Sequence, residues 1–504
     1  MNKRHIRPAI RQLSLASIPL PGRAFAALLA LSSLAACSFA PAYQRPRIAT
    51  PASFKEAPGW QAAMPADAVA KGQWWLLFND SVLNRLEDRV AINNQNVAAA
   101  AAAYDQARAL VREARASLFP TVDLSAGANR AGSFGSGTTT IIGGNTVTTG
   151  SNGSRRYSVS LGATWEPDLW GRIRNTISQQ RALAEASEAD LANATLSAQG
   201  ELAADYLQLR GIEHQKAILD ATVSAYVRAL QITTNRYNQG VVARVDVLQA
   251  QTQLESARAN AADLERQRAA FEHAIAVLVG ENPSSFSLPA ASWSPTVPDV
   301  PGIVPSVLLE RRPDIAAAER RVAAANANIG VQRSAFFPTL GLSGDLGTQS
   351  SRLGSLFTAA SSIWSLGLTA AETLLDFGAR SARVAQARAQ YDQAVANYRQ
   401  IVLTAFQQTE DELAAARVLA YVANQRTSAA AAANRVEALT QNQYLAGQIA
   451  YSDVIVAQTT ALSARQTEAS ALVDRQLAAV SLIQAIGGNW SVAAPADTQL
   501  PPRR

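Results

Sequence analysis

One motif occurs twice in the chain, as NRYNQGVVARVDVLQAQTQL at 235–254 and as NQYLAGQIAYSDVIVAQTTA at 442–461. Asn, Tyr, Gly, Ala, Asp, Val, Gln and Thr recur in register without a gap. Two further blocks repeat in the same order, RASLFPTVDLS with RSAFFPTLGLS and one Leu-Gly-x-Thr segment with another. The copies lie about 205–218 residues apart, and this constant spacing indicates an internally duplicated chain.

Each half contains two stretches in which apolar and polar residues alternate. They cover 121–130 and 157–165 in the first half and 338–347 and 362–370 in the second. Alternation with a period of two predicts β-strands that have one apolar face. The Gly/Ser/Thr-rich segment 131–156 between the first two strands is predicted to be a loop.

Each half also contains a helical pattern of unusual length. Apolar residues step by three and four along both patterns, as in a coiled-coil seam. These residues are Leu219, Val223, Tyr226, Leu230, Thr233 and Tyr237, then Val384, Tyr391, Val395, Tyr398, Val402 and Ala405. Each pattern breaks at a glycine, Gly240 or Gly447, and a second helical segment then returns, which predicts a tight helical hairpin. The helical segments are 81–117, 172–239, 241–279, 380–445 and 449–486.

These patterns predict a mixed, mainly α-helical fold with five segments. They are a signal peptide (1–36), a lipid anchor with an extended segment (37–80), a first structural repeat with β-hairpin 121–166 (81–290), a second with β-hairpin 338–370 (291–490), and a tail (491–504).

The N-terminus has the layout of a bacterial secretory signal. Residues 1–23 are basic, 24–36 are apolar, and the stretch ends in Leu34-Ala35-Ala36-Cys37. This ending resembles the lipobox of bacterial lipoproteins, which implies that Cys37 is lipidated after cleavage, and the following Ser38 implies sorting to the outer membrane. The alternative is an ordinary signal peptide that is followed by a buried cysteine.

The composition excludes several functional classes. The net charge of +6 comes mostly from the first 36 residues, so the remainder is nearly neutral and a general nucleic-acid surface is not expected. One cysteine and three histidines leave no disulfide framework and little material for a metal site. Glu213 and His214 are adjacent, but no nucleophile motif accompanies them, so we expect neither an enzyme nor a cofactor other than the lipid on Cys37.

The strands have the length that crosses a bilayer when tilted. Each chain offers four of them, and an open four-stranded sheet in lipid would leave its edge amides without hydrogen-bond partners. Closure therefore requires association. Three copies give a shared 12-strand β-barrel, whereas two copies give a minimal barrel of eight strands.

The residues also resemble the TolC-like outer-membrane efflux factors, most closely the lipoprotein branch that serves resistance–nodulation–division pumps. The resemblance rests on Cys37, on GQWWLLF at 72–78, on DLWGR at 168–172, on LERRPDI at 309–315 and on the two Tyr-x-x-Gly tips. It implies a homotrimer in the outer membrane, in contact with its lipid, with helices in the periplasm. It also implies a periplasmic adaptor and an inner-membrane pump as partners.

The resemblance places two kinds of site. The tips that meet the adaptor correspond to Gly240, Val241, Val242, Gly447, Gln448 and Ile449. The gate of the duct corresponds to Tyr451, Ser452, Asp453, Val456 and Asp246. A second interpretation of Asp246 and Asp453 is that each offsets the dipole at a helix N-terminus.

The predicted function is therefore an exit duct that passively conducts drugs or other small amphiphiles out of the cell. Two alternatives remain at this stage. One is the exit channel of a protein-secretion system, and the other is a periplasmic coiled-coil tether, which would not explain the four strands.

Overall fold

The computed structural model describes residues 39–51, 53–56, 73–132, 139–142, 145–148, 154–291, 293–298 and 312–488. The predicted signal peptide, Cys37, Gly72, residues 309–311 and the tail 491–504 lie outside the described residues.

The first repeat follows a short 3-10 helix, Trp74–Phe78. Its elements are helices α1 (Ser81–Asn93) and α2 (Gln95–Ala116), strands β1 (Thr121–Ala131), β2 (Thr139–Ile142), β3 (Asn145–Thr148) and β4 (Ser154–Trp165), and helices α3 (Arg172–Asn238) and α4 (Arg244–Leu278).

The second repeat has the same order of long elements. They are helix α5 (Pro313–Ser334), strands β5 (Thr339–Ser350) and β6 (Ser362–Ala371), and helices α6 (Ala379–Leu445) and α7 (Tyr451–Ala485). The corresponding helices have equal lengths: α2 and α5 have 22 residues, α3 and α6 have 67, and α4 and α7 have 35. The duplicated, mainly helical fold predicted from the sequence is thus confirmed.

Two local predictions need correction. The helical segment predicted at 81–117 is two helices, because Asn94 is extended and caps the second one. Its side-chain oxygen accepts hydrogen bonds from the amides of Asn96 and Val97 at 2.9 and 3.1 Å, and its Nδ2 donates to the Leu278 carbonyl. The segment predicted as a loop at 131–156 contains the small hairpin of β2 and β3.

The four long strands form one antiparallel sheet in the order β1-β4-β5-β6. The register places large apolar side chains opposite one another in a row across all four strands, Leu124, Leu161, Leu346 and Trp364. The row on the opposite face consists of Asp123, Gly162, Asp345 and Ser365. The sheet therefore has one apolar face and one polar face, and β1 and β6 are its edges.

The chain divides into two compact units. The sheet lies in the unit formed by the described residues of 39–42, 114–178 and 327–387, and the second unit consists of the other described residues. In the second unit, Trp74 and Leu83 pack with Tyr206 of α3 and Tyr398 of α6 in one large apolar core.

The predicted seam residues are buried or half-buried, except Tyr237, which is exposed. In α3, Leu219, Tyr226 and Thr233 are buried, and in α6 the buried seam residues include Tyr398 and Val402. Among the described helices, none combines the length and the apolarity that a membrane span requires.

Candidate functional site

The two helical hairpins of the second unit end in tips with the same backbone geometry. The left-handed residues are Gly240, with φ of 75°, and Gly447, with φ of 76°. The Gly240 amide donates to the Tyr237 carbonyl and the Val241 amide to the Arg236 carbonyl, both at 2.9 Å. This is a Schellman motif, and it satisfies two carbonyls that the end of α3 leaves free.

The second tip repeats the motif between α6 and α7. The Gly447 amide donates to the Tyr444 carbonyl and the Gln448 amide to the Gln443 carbonyl, again at 2.9 Å. A Cβ atom at Gly447 would meet no atom within 4 Å, and the same holds at Gly240. Glycine is therefore favoured at both positions by the backbone conformation and not by lack of space.

The second tip contains a small apolar cluster, which we call the tip cluster. Its buried members are Tyr444, Tyr451, Val454 and Ala250 of α4, and Ile449 packs against it. The rings of Tyr444 and Tyr451 lie 5.2 Å apart and are tilted by 51°. Burial, followed by the nearby Tyr444, raises the pKa of Tyr451 to about 12.

Arg236 of α3 joins the two tips. Its guanidinium lies 4.6 Å from the centre of the Tyr444 ring, which is cation–π geometry. Its Nη1 also donates to the Tyr444 carbonyl at 3.3 Å. The last turn of α3 is thus bound to the last turn of α6, so movement of the second tip away from the first requires that these contacts break.

The first tip exposes the apolar residues around it. Tyr237 is 41% exposed and Val241 is 59% exposed, and Val245 and Leu248 in the first turns of α4 are exposed to a similar extent. Both tips therefore have the same backbone, but the second buries Tyr444, Tyr451 and Val454 within the chain and leaves Leu445 and Val456 exposed.

The predicted tip and gate residues differ in their exposure to solvent. Gly240, Val241, Gly447 and Gln448 are exposed, and Val242 and Ile449 are half-buried. Among the predicted gate residues, Ser452, Asp453 and Val456 are exposed, Asp246 is half-buried and Tyr451 is buried. Tyr451 therefore acts through the packing of its own tip, and its role in gating stays a prediction.

Asp246 and Asp453 occupy corresponding positions in the first turns of α4 and α7. The residues that precede these helices, Ala243 and Ala450, make no side-chain capping hydrogen bond. Each carboxylate is therefore placed where negative charge offsets the helix dipole. This role is compatible with a second role in a gate.

The tip and gate residues predicted from the sequence did not include Tyr444, Arg236, Val454 or Ala250. Tyr444 had a detectable signal, because it repeats Tyr237 in the duplicated motif. Arg236 had none, because its partner is about 200 residues distant in sequence and a spacing argument covers only one helix.

The adjacent Glu213 and His214 have structural partners. Glu213 accepts hydrogen bonds from Arg210 at 2.6 Å and from Arg268 at 2.9 Å. The His214 ring lies 5.1 Å from the Trp293 ring. These contacts link α3 to α4 and to the segment that follows it.

The family model for outer membrane efflux proteins matches residues 86–281 and, a second time, residues 304–488. The chain belongs to the outer membrane efflux protein family. The two matches coincide with the two halves of the duplicated fold, and the predicted role as the outer-membrane exit component of an efflux pump is confirmed at this level.

Curated members of the family match almost the whole chain. The solvent efflux pump outer membrane protein SrpC of Pseudomonas putida is 31% identical over 92% of this chain and 98% of its own length. The cation efflux system protein CusC of Escherichia coli K12 is 29% identical over 90% of this chain and 97% of its own length.

Solved structures agree with the fold. The outer-membrane channel OprN, at 29% identity, superimposes with a TM-score of 0.80 over 90% of this chain and 99% of its own. The open state of the Neisseria gonorrhoeae MtrE channel, at 27% identity, has a TM-score of 0.77 over 90% of this chain and 98% of its own. The predicted location in the outer membrane is thereby confirmed.

Proposed function

We propose that three copies of this chain form a closed duct that receives small amphiphiles from an inner-membrane pump and a periplasmic adaptor and releases them outside the cell. The observation that carries this proposal is the open four-stranded sheet with one apolar face, one polar face and two unpaired edges.

The apolar face supports contact with lipid. Leu124, Trp364, Leu366 and Leu368 are each more than 70% exposed in the single chain. Exposed leucine and tryptophan side chains on a sheet face are costly in water and favourable in the hydrocarbon region of a bilayer. The polar row with Asp123 and Asp345 would then line the lumen.

The edges support association. In hydrocarbon each unpaired edge amide or carbonyl costs several kcal/mol, so a sheet of this kind is stable in lipid only when it closes. Two copies would close a barrel of eight strands, whose interior is filled by side chains, whereas three copies give twelve strands and room for a solute. We therefore favour the trimer.

The first tip supports docking of an adaptor. Its exposed Tyr237, Val241 and Leu248 form an apolar surface at the C-terminal end of α3, a helix about 100 Å long. Apolar side chains at such a position are suited to another helical tip. Gly240, Val242, Gly447, Gln448 and Ile449 complete the predicted contact region.

The substrate class is proposed by analogy with relatives. Their names describe efflux of toluene, of solvents and of antibiotics, and in one case of cations. Small apolar and amphiphilic molecules are common to most of these names. We also propose that Cys37 carries lipid, because it is the only cysteine of the chain and follows Leu34-Ala35-Ala36.

Two measurements test the proposal. Light scattering of the purified protein in detergent is expected to give three chains per particle, and a stable monomer would contradict the duct. Deletion of the protein from its host is expected to raise sensitivity to toluene and to amphiphilic antibiotics. Unchanged sensitivity to every compound would contradict the transport role.

Lipidation has its own test. Radioactive palmitate is expected to label the wild-type protein and not Cys37→Ser. Equal labelling of both would show that the lipid is attached elsewhere, and labelling of neither would favour an ordinary signal peptide.

A further inference from the structure

The two connections that lead from a strand into a long helix occupy corresponding positions in the repeats. Both contain a glycine in the left-handed region directly before a 67-residue helix, Gly171 with φ of 75° and Gly378 with φ of 94°. The residue before each glycine is aromatic, Trp170 in the first repeat and Phe377 in the second. Trp170 and Phe377 are therefore corresponding residues.

In the first repeat this aromatic residue packs on the start of the next strand. The Trp170 ring stacks on Phe337, with the ring centres 5.1 Å apart and the planes inclined by 23°. The indole Nε1 donates to the Pro338 carbonyl at 2.7 Å. Phe337 and Pro338 lie directly before β5, so the contact accompanies the pairing of β4 with β5.

The same parts occur a second time without the contact, with Phe119 in the first repeat and Phe377 in the second. Phe119 and Pro120 lie directly before β1 and correspond to Phe337 and Pro338. Phe119 is 68% exposed and Phe377 is 93% exposed. The two rings do not meet within one chain because Phe119 precedes β1 and Phe377 follows β6, and these strands are the opposite edges of the sheet.

We propose that Phe377 of one copy stacks on Phe119 of the next copy, at the seam where β6 of one copy meets β1 of the next when the proposed trimer closes its sheet. This contact rests on the proposed trimer and specifies how its subunits join. The occupant of the exposed aromatic site is a second copy of this chain, because the matching surface is present at the other edge of the same sheet.

The correspondence between the repeats fixes the register. We match the strands by their hairpin pairing: Thr121 pairs with Thr164, and Thr339 pairs with Ala371. The counterpart of Thr164 in the structure is therefore Ala371, two residues beyond Thr369 of the repeated Leu-Gly-x-Thr segment. By the same correspondence, the pair Ala163–Gly344 of β4 and β5 becomes Ala370 of one copy opposite Ala126 of the next. Both alanines lie on the apolar face.

A disulfide test measures the register. Partners that lie directly opposite in an antiparallel pair have Cα atoms about 4.5–5.5 Å apart, within the range of a disulfide. The double variant Ala126→Cys with Ala370→Cys is therefore expected to give covalent dimers and trimers on oxidation in outer-membrane preparations. The control is Arg130→Cys with Ala370→Cys, in which the two cysteines would be roughly 13 Å apart along the strand. This variant is expected to run as a monomer on a denaturing gel.

The aromatic contact is tested by the temperature at which the trimer dissociates in detergent. Phe377→Ala and Phe119→Ala are each expected to lower this temperature by roughly 5–10 °C, since an aromatic pair loses both its area and its ring geometry. If the two rings touch, the double variant has the same dissociation temperature as each single variant. The control is Phe357→Ala, an equally exposed residue of the β5–β6 connection, for which no shift is expected.

A conservative variant separates stacking from folding. Phe377→Trp is expected to keep or raise the dissociation temperature, because the indole can donate to Pro120 of the next copy as Trp170 donates to Pro338. Two results would overturn the inference. One is crosslinking of the control pair instead of Ala126→Cys with Ala370→Cys. The other is a double alanine variant whose dissociation temperature falls by the sum of the two single losses. If the wild-type protein is not a trimer, the proposed function itself fails.

Discussion

The two tips share a backbone and differ in what their side chains do. At corresponding positions, Tyr237 is exposed and Tyr444 is buried, and Arg244 is exposed where Tyr451 is buried. The second tip thus completes a small core that includes Ala250 of the first hairpin, while the first tip leaves apolar surface uncovered.

The two tips are therefore suited to two different tasks. A tip that is closed by its own packing resists movement, which suits a part that must stay shut until it is opened. A tip with exposed Val241 and Leu248 keeps surface available for another molecule. We infer that the second tip holds the resting conformation and that the first serves mainly for docking.

The largest effect is expected from removal of the Tyr451 ring. Tyr451→Ala removes a buried aromatic side chain and is expected to lower the free energy of local opening at the second tip by about 3–5 kcal/mol. Faster hydrogen exchange of the first turns of α7 checks this. Arg244→Ala is the matched control at the first tip, and an equal effect of the two variants would contradict the comparison.

Replacement of either tip glycine by alanine is expected to lower the local stability of its tip by the same free energy. The left-handed conformation costs a non-glycine residue about 1–2 kcal/mol, and a Cβ at either position has free space. Gly240→Ala and Gly447→Ala should therefore increase local hydrogen exchange equally. A much larger effect at Gly447 would show that its backbone geometry is coupled to the tip cluster.

Polar substitution at the first tip is expected to affect binding more than stability. Val241→Ser combined with Leu248→Ser should change the unfolding temperature little, because both side chains are exposed. The same variant should weaken binding to the adaptor of the host pump by about tenfold, or about 1.4 kcal/mol. Gln448→Ser, at the position that corresponds to Val241, should bind normally, and an equal loss in both would remove the distinction between the tips.

The smallest effect at neutral pH is expected for Tyr451→Phe, which keeps the ring in the cluster. The folded chain keeps the Tyr451 hydroxyl protonated up to its pKa of about 12, whereas the unfolded chain ionises near pH 10. The wild-type protein should therefore lose stability as the pH rises from 10 to 12, and the variant should lose less. Thermal unfolding of the wild type and of Tyr451→Phe at pH 7 and pH 11 measures these losses. An equal loss in the two proteins would contradict the burial of this hydroxyl.

The sequence sufficed to predict those features that depend on local periodicity. The strands, the long helices, the glycine tips and the duplication follow from alternation, heptads and repeated motifs. The break at Asn94 was missed because the helical pattern continues on both sides of it, and the capping role depends on its hydrogen bonds.

Features that depend on tertiary contact could not be predicted. Arg236 contacts Tyr444 only because two hairpins lie side by side, and no spacing in the chain encodes that. Glu87 is fully buried in α1, where burial raises its pKa to about 9, although the two residues that follow it, Asp88 and Arg89, are charged. The difference between the tips is likewise a property of packing, since the motif itself is nearly the same.

Single-channel recording in a planar lipid bilayer tests the central claim most directly. The wild-type protein is expected to insert and to give small, discrete conductance steps. We expect larger steps from Tyr451→Ala and wild-type behaviour from Arg244→Ala. Silent bilayers from folded and inserted protein, or equal conductance in all three, would contradict a duct that is held shut at its second tip.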